Sequence, residues 1–417
     1  MYLSSRRIEV CNTPGQSSRR VWSRYLAAMA LLAAWVTHSQ VAAAQAFSVV
    51  PRTLAWSGAD APAYTSDWSN GSIVMPFVSS SSHSGEAQRI NEALYVQIVG
   101  IPAPTGTGKS FTLPATSDIP NSGYRLDSIT SLGFTVGRND AHILSITIER
   151  DGCGAYCEDW TESFHFNATT GAAFTADDVI SPEARTTIVR MMKQERTRQY
   201  TALLKELRAQ RRTQAMTGTP DKAKDADADL DERIGFNEQC LAGLTEARSD
   251  TSSDSSDTFR YLKLAIPDAK SVTFVAERCS NHAMRALDDV GDVTLRISDD
   301  KLRGFLTAYG RTLFFGDDEP QQPSSPRGQV LHGRIGSASI TMRVAADSDA
   351  SSGTAIYFYE KYRLPITLSS ARNGNTLRLT NGKEGRDLET FELVAQGNGY
   401  TGVWHKDARE LPVVIGF

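Results

Sequence analysis

Ser131 to Asn167 reads SLGFTVGRNDAHILSITIERDGCGAYCEDWTESFHFN, and its central run, Ile143 to Arg150, decides what kind of fold this chain can adopt. Ile143, Ser145, Thr147 and Glu149 alternate with Leu144, Ile146 and Ile148, and a period of two places the two sets on opposite faces of a strand. Ser131 to Val136 alternates before it and Thr161 to Asn167 forms another strand after it, so a sheet begins here. Thr170-Gly171 reads as the turn that leaves it.

Helices flank this sheet in sequence. Upstream, Ile90, Leu94, Ile98 and Ile101 fit a short helix within 86–101, whereas 47–85 is rich in Ser, Pro, Gly and Trp and reads as an irregular segment with room for one or two strands. Downstream, Ser181-Pro182-Glu183 supplies a capping serine, a proline suited to the first helical turn and an acid at the positive helix end. Ile188, Met191, Met192, Leu203, Leu204 and Leu207 continue that helix among basic residues. Glu195, Glu206 and the acidic run DKAKDADADLDE mark the basic run as a solvated helix face rather than a nucleic-acid site. Residues 217–232 are expected to be a connection, Ile234 to Arg248 a short helix, and Ser249 to Asp257 a polar loop. Strands resume at Phe259 to Ala265, Ser271 to Ala276 and Asp292 to Ile297, followed by a helix from Lys301 to about Tyr309. Strands and helices mix without regular alternation, so the expected class is α+β over 86–315, with a helical insertion at 182–256.

Residues 316–328, with three prolines, read as a linker. Beyond it Ser339 to Val344, Ala355 to Glu360, Leu364 to Leu368, Thr376 to Leu379, Thr390 to Val394, Gly399 to Trp404 and Leu411 to Ile415 are short strands, most of them separated by Gly or Asn. A small antiparallel barrel or sandwich of seven or eight strands over 329–417 follows, because closure or stacking removes exposed edges.

The first 46 residues carry Arg6, Arg7, Arg19, Arg20 and Arg24 against Glu9, then the apolar run Leu26 to Val36 and small residues at Ala44 and Ala46. The run is too short to span a bilayer and has the order of a signal peptide, with the cut expected before Phe47. The arm SRRVWSR at Ser18 to Arg24 leaves both the general secretory and the twin-arginine routes open. Loss of five arginines and one glutamate takes the net charge from −4 to about −8. Nucleic acid and anionic membrane are poor partners for such a chain, and stable membrane insertion after processing is not expected. A periplasmic or secreted protein would pair its four remaining cysteines, preferentially Cys153 with Cys157 and Cys240 with Cys279, although sequence allows three pairings.

Several motifs invite chemistry and are outweighed. APTGTGKS at Ala103 to Ser110 matches a relaxed phosphate loop, but FTLPATSDIP follows where a helix must start, so no nucleotide is expected. Asp227, Asp229, Asp231 and Glu238 echo a calcium loop, yet Glu232 occupies the position that needs glycine. Cys153, Cys157 and His165 lack zinc-ligand spacing, and no metal or other cofactor is expected. No G-x-S-x-G or H-E-x-x-H is present. Asp159, Glu162 and His165 do cluster in sequence and are the candidate polar site.

The succession SLGFTVGRNDAHILSITIERDGCGAYCEDWTESFHFNATTGAAFTADDVI, FRYLKLAIPDAKSVTFVAE and GDVTLRISDDKLRGFL resembles the domain shared by the outer part of lysozyme-sensing anti-sigma factors and by proteins carrying peptidoglycan deacetylase modules. Asn167, Thr170-Gly171 and Thr175 to Val179 match its markers. The resemblance implies an α+β envelope domain that in one branch binds lysozyme, and it transfers no enzyme, since nothing here resembles the metal-dependent deacetylase module. The family's loop rich in glycine and histidine is replaced here by Cys153 to Cys157, and 205–256 is enlarged. The terminal module, with YTGVWHKDARELPVVI, resembles small β modules of envelope proteins. The expected function is non-catalytic recognition of a protein, such as a lysozyme-like hydrolase, or of a peptidoglycan-related ligand. The alternative is a cell-wall hydrolase centred on Asp159, Glu162 and His165.

Overall fold

The computed structural model describes residues 45–55, 73–106, 108–112, 129–153, 157–217, 220–245, 259–317, 323, 325–345, 354–373, 375–382 and 388–417. The expected leader (apart from its last two residues), the polar loop 249–257 and much of the expected linker lie outside them.

The chain folds as α+β followed by a closed antiparallel barrel. β1 (Ser48–Leu54) and β2 (Val74–Ser79) pair antiparallel and β3 (Ser110–Phe111) joins β1 in parallel. β1 and β2 are the two strands for which the irregular segment 47–85 left room, and β3 lies beyond it. Pro51 and Pro76 obscure this sheet in sequence, and the structure sets them opposite each other, a pairing without N–H groups that a ladder tolerates only at a non-hydrogen-bonded position. Helix α1 (Ser84–Ile98) packs on it, with Ile90, Leu94, Tyr95 and Ile98 buried beside Leu54, Met75 and Val78. Phe47, the first residue after the expected cut, is buried there and exchanges two hydrogen bonds with the Asn139 side chain.

The run that decided the fold becomes a meander: β4 (Ile129–Asn139), β5 (Ile143–Cys153) and β6 (Cys157–Asn167), edged by β7 (Ala173–Phe174). Leu144, Ile146 and Ile148 face α1 together with Phe164 and Phe166, while Ser145 and Thr147 face the other way. That second face meets another sheet. After α2 (Ala176–Val179), α3 (Pro182–Thr217) and α4 (Pro220–Thr245), strands β8 (Lys263–Asp268), β9 (Ser271–Ala276) and β10 (Val293–Ser298) form a meander. Its Ile266, Phe274 and Ile297 share a core with Ile188 and Met192 of α3. β8 lies so close to β4 that a Cβ on Gly137 would stand 2.4 Å from the Ile266 carbonyl oxygen. The expected helix at 301–309 is instead a turn at Asp299–Leu302, a short 3-10 segment, and a separate helix Ala308–Phe315 capped by Thr307, whose Oγ1 accepts from Gly310 N at 2.9 Å.

The insertion is a helical hairpin. α4 occupies most of 217–232, read from sequence as a connection, and covers the calcium-like run, whose acids therefore sit on a helix rather than in a loop. Leu204 and Leu207 of α3 meet Leu230 and Ile234 of α4, and Arg208–Glu238 (2.7 Å) and Arg211–Asp231 (2.8 Å) close the pair. Asp231 of the acidic run and Glu238 beyond it thus face the basic helix. Among the described residues no helix is long and apolar enough to cross a membrane.

The barrel comprises β11 (Val330–Ile335), β12 (Ala338–Val344), β13 (Thr354–Tyr359), β14 (Ile366–Asn373), β15 (Thr376–Asn381), β16 (Glu389–Gln396), β17 (Gly399–Lys406) and β18 (Arg409–Gly416), with β11 pairing β18 to close it. β11 is the strand missing from the sequence reading, where His332 and Gly333 break its apolar pattern. Gly402 is required by close strand approach, since a Cβ there would stand 1.9 Å from the Glu392 carbonyl oxygen. The barrel rests on α1 through Val96 against Ile356 and Phe358 and through Glu92–His332 at 3.0 Å, and Gln329, just before β11, ties it to β7. The Gln329 amide accepts from Ala173 N (3.0 Å) and donates to Ala173 O (2.6 Å), so one side chain caps the edge of β7 as a neighbouring strand would.

Candidate functional site

Strand parity separates the three sequence-nominated residues. Asp159 and His165 share a face of β6 but stand six residues apart, about 20 Å at strand rise, and Glu162 lies on the opposite face. Asp159 is exposed and bonded to Arg285 at 2.6 Å, which holds its carboxyl below the usual range. Glu162 accepts from Arg150 (3.0 Å) and from Gln97 of α1 (3.2 Å). The three do not converge.

His165 is buried at 4% exposure between the two sheets. Its Nε2 lies 3.0 Å from the Leu264 carbonyl oxygen, which can only accept, so Nε2 carries the proton and Nδ1 accepts from the Ser145 hydroxyl at 3.0 Å. The pair looks like a nucleophile and its base. However, the nitrogen that would be held by an orienting acid in such a site is committed to a backbone carbonyl. Burial lowers the ring to about 4, against the weaker opposite pull of the Leu264 bond. This neutral histidine pins β6 to β8.

A pH signature follows. The unfolded chain protonates His165 near 6.5 and the folded chain near 4, so its contribution is complete above about 6.5, shrinks as pH falls between those values and is gone below 4. We expect His165→Asn to remove roughly 3 kcal/mol of the pH-dependent loss over that window, read from urea midpoints at pH 7 and 4.5. His332 has the opposite sign: the Glu92 bond raises it, so its contribution is present in acid and declines as pH rises through its folded value. Equal pH slopes for the parent and His165→Asn would refute the assignment.

Beside His165 the protein opens into a cleft of about 850 Å³. β6 forms one wall with Trp160 and Phe164, the segment entering β8 brings Leu262 and Lys263, and the barrel contributes Arg343 and Gln329. The volume suits a small ligand or a peptide segment. Among the described residues its lining holds five cationic side chains against four carboxylates. Arg150 closes on Glu162 and Lys263 on Glu277 at 2.8 Å. Asp178 accepts from Thr175 N and Oγ1, and burial holds its carboxyl above the usual range. Of the nominated residues, Glu162 and His165 line the cleft and Asp159 does not. Sequence reasoning missed Trp160, Gln97 and the barrel side. Trp160 was findable, since it sits opposite Arg150 in the same alternation, but Gln97 and Gln329 carry no local signal.

The remaining motifs resolve locally. Residues Ser110–Phe111 become β3 where a phosphate loop needs a helix, Lys109 O accepts from Thr53 N at 3.0 Å, and Gly106 O accepts from the buried Arg52. Cys153 is bonded to Cys157 and Cys240 to Cys279. Among the described residues no cluster of His, Cys, Asp or Glu is arranged to hold a metal ion.

No family model and no curated protein matches this chain.

Proposed function

We propose that this chain is an exported envelope protein that binds a protein or cell-wall ligand in the cleft between the α+β domain and the barrel, without chemically altering it. The observation that carries the reading is the cleft itself: it is ligand-sized and has aromatic walls and paired charges, while the groups able to move protons are committed elsewhere. His165 is neutral and bonded at both nitrogens, and Glu162 is tied to Arg150 and Gln97. Export is supported by the order of residues 1–46 and by two disulfides, which persist in oxidising compartments. The resemblance of 86–315 to lysozyme-sensing envelope domains makes lysozyme the first protein to try.

The test is Trp160 fluorescence, taken as the difference between the parent and Trp160→Phe, during titration with lysozyme and with muramyl peptides. A saturable change with either supports the reading, and none with both overturns it. Export is checked separately: a mature N-terminus at Phe47 in the periplasm or medium is expected, whereas cytosolic protein retaining Met1 with reduced thiols would defeat it.

A further inference from the structure

The cleft wall is also an unfinished sheet edge. β7 pairs with β6 only at His165↔Phe174 and Phe166↔Ala173, then the chain turns at Thr175 into α2. Among the described residues no strand pairs with the outer side of β6 before His165. Which backbone groups point outward follows from two bonds at its end: Asn167 donates outward to Ala172 O (2.8 Å), and Ala168 donates inward to His142 O (2.9 Å). The β5–β6 register runs without a shift from Cys153↔Cys157 to Ile143↔Asn167, so odd positions keep the outward sense. The N–H and C=O of Thr161 and Ser163 therefore face away from β5, along the cleft, and both residues line it.

We propose that the cleft takes an extended peptide segment of a partner protein, added as a strand to the outer edge of β6. This rests on the cleft being the binding site. A row of backbone donors and acceptors spaced two residues apart is complementary to another backbone in β conformation, and strand addition is a general mode of peptide recognition. Gln329 already satisfies the neighbouring edge at β7 in this fashion with a side-chain amide. Peptide side chains would alternate, one set toward Trp160 and Phe164, the other toward Leu262 and Lys263. Five cations against four carboxylates among the described lining residues favour an acidic segment.

The probes are an end-blocked hexapeptide of alternating valine and glutamate, its valine–lysine counterpart, and the acidic peptide N-methylated at every second residue in each of the two phases. One phase removes the N–H groups that meet β6, and that peptide is expected to bind about tenfold more weakly or worse, because each lost hydrogen bond costs several-fold. The lysine peptide should also be weaker. Hydrogen exchange at Thr161 and Ser163 should slow on adding the parent peptide. Thr161→Pro should weaken binding by a similar factor while leaving the β5 ladder intact, since the amide it removes points outward. If Thr161→Pro fails to fold, the methylated peptides decide on the unaltered protein. Equal affinity for the parent and both methylated peptides, or muramyl glycans that alter Trp160 fluorescence without slowing exchange at those amides, overturns strand addition and leaves cleft binding standing. No response to peptide, glycan or lysozyme defeats both.

Discussion

Replacing Cys240 and Cys279 by alanine is expected to lower the stability of the folded chain by roughly 4 kcal/mol, seen as a fall in the urea midpoint. The bond closes a loop with a sequence separation of 39, and the entropy removed from the unfolded chain by a loop of that size corresponds to about that value. The same segments are joined by other contacts that survive the substitution: Asn237 Nδ2 donates to Leu287 O at 2.9 Å and Arg233 pairs with Asp289 at 2.7 Å, while the Tyr200 hydroxyl of α3 donates to Asp288 at 3.3 Å. The native docking of α4 should therefore persist, with near-parent circular dichroism. Replacing Cys153 and Cys157, separated by 4, should lose about half as much. A loss under 1 kcal/mol for the longer loop would show that these contacts already restrain the unfolded chain. The difference bears on localisation, since a chain that draws this much stability from its disulfides is poorly suited to a reducing compartment.

How much of this was legible depended on how local the cause was. β5 and the barrel strands other than β11 could be read because alternation is imposed residue by residue, one face buried and the other not. That Ser145 and Thr147 face a second sheet rather than solvent could not be read, because small polar residues suit both settings and the covering strand β8 lies more than a hundred residues away. The acidic run escaped assignment as a helix because aspartate is a weak helix former, and the partner that Asp231 finds, Arg211, belongs to α3. The candidate site was chosen by proximity in sequence, a poor guide on a strand: Glu162 falls on the opposite face from His165, and three residues further along the chain from Asp159. The cleft draws its walls from α1, β6, the approach to β8 and the barrel, and such convergence leaves no spacing to recognise.

The barrel interior yields the last large effect. Glu389 is 4% exposed, and its Oε1 accepts from Trp404 Nε1 at 2.6 Å and from the Tyr357 hydroxyl. Burial, and then the neighbouring Glu389 charge, raises the phenol of Tyr357 well above its ordinary range, so that hydroxyl remains a donor at any working pH. Glu389→Leu would leave the Trp404 indole N–H unpaired and take the carboxylate from the Tyr357 hydroxyl, which keeps Tyr359 as a neighbour, inside an apolar core that includes Phe391 and Leu393, and we expect a loss of about 3 kcal/mol. Glu389→Gln keeps an acceptor oxygen and should cost about 1 kcal/mol. The decisive comparison is the triple variant Glu389→Leu, Tyr357→Phe, Trp404→Phe: with neither of the two donors left to satisfy, it should recover part of the loss despite the smaller ring at 404. If the triple variant is less stable than Glu389→Leu alone, the carboxylate is not the group those donors require, and packing volume rather than hydrogen bonding holds this end of the barrel together.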